Sequence, residues 1–80
     1  MDIELTEKQD TKIRRAVKAL NDVRLELQQE NPRSNMNWYL EGSGNLNLMC
    51  GLSHDGLDLD PQHQNVVKWY ALRNSGGGGW

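Results

Sequence analysis

Residues 36–51 constrain the fold of this chain more than any other stretch. Met36, Trp38 and Leu40 alternate with Asn37, Tyr39 and Glu41. Leu46, Leu48, Cys50 and Leu52 alternate in turn with Asn47, Met49 and Gly51. Two alternating runs on either side of Gly42-Ser43-Gly44 predict a β-hairpin with one apolar face. The faces also set the register. Pairing Leu40 with Leu46 brings the apolar sets together and leaves Gly42-Ser43-Gly44 as a three-residue loop, with Gly44 where such loops take a left-handed residue. A two-residue Ser43-Gly44 turn sets Leu40 against Asn47 and mixes the faces. The opposite face carries Asn37, Tyr39, Glu41, Asn45, Asn47 and Met49, and is expected to be wet.

A hairpin with one oily side needs a cover, and the preceding segment supplies one. Thr6-Glu7-Lys8-Gln9 fits a capping box. Ile13, Ala16, Val17, Leu20, Val23 and Leu27 then recur at spacings of three and four, one stripe at helical period. Asn31-Pro32 ends the helix, because a residue before proline is driven out of the α region. Residues 7–30 reach roughly 36 Å at 1.5 Å per residue, longer than the strands beneath, so the first turns overhang or pack on a partner.

After the hairpin, Asp55-Gly56 has the form of a type I′ turn leading into a short strand, Leu57-Asp58-Leu59. Asp60-Pro61 resembles a helix cap followed by proline at the first helical position, which predicts a helix over 61–74. The rival is a fourth strand, because Val66-Val67-Lys68-Trp69-Tyr70 is rich in strand formers. The expected fold is therefore α+β: a long N-terminal helix on a three-stranded antiparallel meander, then a short C-terminal helix or, alternatively, a fourth strand. Residues 1–74 form one small domain, and Gly-rich 75–80 form a flexible tail ending in Trp80.

Composition narrows the function. A chain that is 36% hydrophobic and 25% charged has the balance of a globular domain. Its single cysteine excludes an internal disulfide, and a net charge of −2 weighs against a non-specific polyanion binder. No apolar run is long enough for a signal peptide or a membrane span, so the expected location is the cytoplasm.

The chain carries little recognisable chemistry. Cys50 and His54 on one strand stand roughly 13 Å apart, too far for a thiol–imidazole pair. Cys50, His54 and His63 match no closed zinc pattern, and Asp55, Asp58 and Asp60 lack the spacing of a calcium loop. The terminal glycines lack the Lys-Ser/Thr of a phosphate loop. No cofactor, metal or catalytic set is expected, and the chain is expected not to be an enzyme.

What remains is surface. Arg14, Arg15 and Lys18, with Lys12, make a basic ridge on the helix, followed along it by Asp22, Glu26 and Glu30. Tyr39 and Met49 fall on the outer sheet face, and Trp80 ends the tail. These six, Arg14, Arg15, Lys18, Tyr39, Met49 and Trp80, are the candidate partner-binding residues. The order helix, three strands, helix is also that of double-stranded RNA-binding domains. Pro61-Gln62-His63-Gln64-Asn65, however, stands where that family is lysine-rich, so order alone assigns nothing. The leading expectation is a non-enzymatic protein that binds another protein, an inhibitor or adaptor of the kind phages and mobile elements carry. The alternative is a nucleic-acid-binding module using the basic ridge and the sheet aromatics. The overhanging helix also permits a symmetric dimer.

Overall fold

The computed structural model describes residues 3–52 and 62–76. One helix, α1 (Glu7–Glu30), precedes a hairpin of β1 (Asn37–Leu40) and β2 (Asn45–Met49). A third strand, β3 (Val66–Ala71), follows. All pairing is antiparallel, in the order β1-β2-β3, so β2 is central and the arrangement is α+β.

The ends of α1 follow from local chemistry. Thr6 accepts from the Gln9 N–H, and the Gln9 side chain accepts from the Thr6 N–H, closing the capping box. At the other end the Asn31 N–H and its side-chain amide both donate to the Leu27 carbonyl. The hairpin takes the register set by its faces, with Leu40 opposite Leu46 and Trp38 opposite Leu48. The Gly44 N–H donates to the Glu41 carbonyl, and Gly44 sits at φ 94°, the left-handed position of the three-residue loop.

The segment after the hairpin takes the alternative form, a strand, in place of the leading one. Instead of a helix over 61–74, residues 66–71 form a strand, and helix survives only as a short 3-10 turn, His63–Asn65. The physical reason lies in β2. Its second edge offers unpaired backbone groups, and a run of Val66, Val67, Trp69 and Tyr70 suits a pleated surface. The Cys50 N–H donates to the Asn65 carbonyl at 2.8 Å and leads β3 onto that edge. Val67 is an extra residue there, a bulge between the pairs Leu48–Lys68 and Met49–Val66. The Leu72 N–H ends the strand on the Gly44 carbonyl. The expected strand 57–59, its Asp55-Gly56 turn and the Asp60-Pro61 cap lie outside the described residues.

The helix covers the face of Trp38, Leu46 and Tyr70, but it does so incompletely. No residue of α1 is buried. Leu20, Arg24, Leu27 and Gln28 are half-buried, whereas Ile13 and Val17 are each 50% exposed. Overhang thus extends past the first two turns. Polar bonds hold the docked half. Gln28 donates to the Ser34 carbonyl at 2.6 Å and accepts from the Met36 N–H at 2.9 Å. The Trp38 indole N–H donates to the Leu20 carbonyl at 3.0 Å.

The other face corrects a second expectation. It is not wet at its centre, because Met49 is 0% and Asn47 1% exposed. A central strand has neighbours on both sides, and here Asn47 lies between Tyr39 and Trp69 across the ladder.

Two substitutions test these contacts by denaturant titration. Gln28→Ala leaves the Met36 N–H without its acceptor and is expected to cost about 1–3 kcal/mol. Gly44→Ala forces a left-handed alanine whose Cβ falls 2.3 Å from the Ser75 carbonyl oxygen. Its expected cost is also about 1–3 kcal/mol.

Candidate functional site

Helix and sheet leave a cleft between them. Ala16, Ala19, Leu20 and Val23 form one wall, and Trp38, Leu46 and Tyr70 the other, around an almost wholly apolar cleft of about 430 Å³. Trp38 and Tyr70 reach toward each other over β2, with ring centroids 6.5 Å apart and planes tilted by 57°. That tilted offset is the geometry aromatic pairs favour.

β3 borders the cleft and is the most open element of the sheet. Every residue after Val66 in it is exposed. Val67 at 55% and Trp69 at 58% are large side chains left in solvent, as is Tyr70 at 51%. Trp69 pairs with Asn47 and Tyr70 with Leu46, so the two rings leave on opposite faces of one edge strand. Lys68 and Arg73 flank them.

The six residues expected to bind partners do not converge. Tyr39 is half-buried with its hydroxyl beneath the surface, and Met49 is enclosed, so Met49 offers nothing to a partner in this fold. Both lie on the face away from α1. Arg14, Arg15 and Lys18 are exposed on the helix, on the other side of the sheet. Arg14 is paired with Asp10 at 2.9 Å and Lys18 with Asp22 at 2.6 Å, each at i,i+4. The hydrogen bond from Lys18 to Asp22, and the charge of that carboxylate, hold the Lys18 ammonium above its ordinary range. Trp80 lies outside the described residues. A basic ridge and a sheet aromatic therefore do not form one surface.

The exposed residues of β3 were not singled out as partner-binding positions by sequence alone. Their signal was the run Val66–Tyr70, which as a strand sends Trp69 and Tyr70 apart and as a helix buries one side.

At the hairpin loop a small polar cluster closes the outer face. Glu41 accepts from the Ser43 hydroxyl and, at 2.9 Å, from the Asn47 amide. The Asn47 side-chain oxygen is buried without a hydrogen-bond partner. The Ser43 and then the Asn47 hydrogen bonds hold the Glu41 carboxyl below the ordinary 4.5. Among the described residues no three His, Cys, Asp or Glu side chains gather as metal ligands, and no helix is long and apolar enough to cross a membrane.

Comparison with protein-family models, with curated proteins and with solved structures finds no match to this chain.

A depressed carboxyl pKa stabilises the fold above its unfolded value and ceases to do so as pH falls through the folded one. The gap in thermal midpoint between the native chain and Glu41→Gln is therefore expected to be full above about pH 4.5 and to close on acidification below it. Calorimetry at stepped pH measures that gap.

Proposed function

We propose that this chain is a non-enzymatic binding protein that acts by covering a surface of another protein, as small inhibitors and adaptors do. The observation that carries the reading is β3, an edge strand whose large side chains stand mostly in solvent. Aromatic residues are the usual anchors of protein interfaces. Val67 and Trp69 on one side of the strand, with Tyr70 and Leu72 on the other, supply such anchors. Lys68 and Arg73 supply a charged border. The strand's outer edge also suits an extended partner segment, which adds main-chain bonds to a sheet edge. A cellular setting and an origin in phages or mobile elements belong to the same proposal, supported by size and by the lack, among the described residues, of a converging acid, base or nucleophile.

Binding to nucleic acid fits less well. Two of the four ridge cations, Arg14 and Lys18, are already engaged by Asp10 and Asp22, and Tyr39 lies across the sheet from them. A polyanion contact needs unpaired cations on one face.

The test uses Val67→Lys and Trp69→Lys, which keep an apolar stem on the strand while removing the branched or aromatic anchor. Proteins retained from the host extract by the immobilised native chain are expected to be lost with either variant, with circular dichroism unchanged. An identical set of retained proteins with all three chains refutes the role of β3. Salt-dependent retention of nucleic acid in place of protein refutes the reading itself.

A further inference from the structure

We propose that the chain self-associates into a two-fold dimer by antiparallel pairing of α1 with α1 of a second copy. This face adjoins β3 at Tyr70, which lines the same cleft, and lies apart from Trp69 on the opposite face of the sheet.

Lys12, Ala16, Ala19, Val23, Glu26 and Glu30 follow one another at spacings of four and three along α1. That is the seam spacing of helices that pair along their length. All six are exposed. Ala16, Ala19 and Val23, the middle of the line, form a wall of the apolar cleft and stay exposed. A helix face of this composition, left in water on a helix with no buried residue, has the character of half an interface.

Charge selects the occupant. The N-terminal end of the line is basic and the C-terminal end acidic. A second copy laid antiparallel, with the two-fold axis beside Asn21, sets Ala19 against Val23 and Ala16 against Glu26. It sets Lys12 against Glu30 at both ends. Glu26 of one copy then also lies within a turn of Lys12 and Arg15 of the other. A parallel copy instead sets Lys12 on Lys12 and Glu30 on Glu30, which like-charge repulsion opposes. Helix dipoles favour the same antiparallel choice.

The charges on this line are also the ones left over. Arg14 and Lys18, turned away from it, are paired within the helix. Lys12, Glu26 and Glu30 form no ion pair among the described residues. Ile13, beside the line and half exposed, meets Leu27 of the second copy in this register. The overhang of α1 thereby acquires a neighbour.

Sedimentation equilibrium of the full chain at low salt tests this. A monomer–dimer equilibrium is expected below about 1 mM, weakening as salt rises. Ala19→Glu keeps a good helix former at an exposed position and is expected to leave a folded monomer. Lys12→Glu and Glu30→Lys each replace two attractive contacts per dimer by repulsive ones and are expected to weaken it by about tenfold or more. Combining them restores opposite signs, and the double variant is expected to return to within a few-fold of the native dimer. A native chain that stays monomeric throughout overturns the proposal. So does a dimer that survives Ala19→Glu, or a double variant weaker than both singles. None of these results bears on capture of another protein by Val67 and Trp69.

Discussion

The fold depends on how α1 is clamped to the first strand. Three side chains, Gln28, Arg24 and Trp38, connect the C-terminal half of the helix to backbone groups of 34–36 or join β1 to the helix backbone. Gln28 is the centre of this clamp because its amide works in both directions, donating to the Asn31 and Ser34 carbonyls and accepting from the Met36 N–H. Apolar burial reinforces it only in part, since Leu20 and Leu27 are half-buried and no helical residue is fully enclosed. Hydrogen bonds contribute about 0.5–1.5 kcal/mol each, so a few of them matter in so small a domain. Clamping at one end fixes where the helix starts to leave the sheet.

That departure shapes the surface. A single helix about 10 Å wide does not blanket three strands spaced about 4.8 Å apart. Anchored over β1, α1 leaves the β3 side of the same face open, and the cleft between Val23 and Tyr70 is the result. The enclosed residues accordingly sit in the strands and just before them, at Met36, Leu48, Met49 and Asn47. Asn47 is the uneasy member of this group. Its amide is held by Glu41, while its oxygen lacks a hydrogen-bond partner, a combination that ties the polar loop to the centre of the sheet at some energetic cost.

Much of this was legible in the residues. The bounds of α1 follow from Thr6, Gln9 and Asn31, whose effects are local and operate within a turn of chain. The hairpin register follows from side-chain alternation and from Gly44, which together admit one pairing. The third strand was less legible. Asp60-Pro61 and the run Val66–Tyr70 favour different structures, and the free edge of β2 decides between them for residues 66–71. The six surface candidates fared unevenly for a similar reason. Met49 has the right face by parity, but parity does not say how much a central strand's neighbours enclose it.

Amino-acid order by itself determined the helix, the hairpin, the loop glycine and the α+β class, because caps, periodicity and turn geometry act over a few neighbouring residues. Tertiary structure alone decided that residues 66–71 join β2, that Asn47 and Met49 are enclosed, and that Ile13, Val17 and Trp69 are not. Those outcomes turn on which distant segments lie against one another, and on how far one helix reaches across three strands.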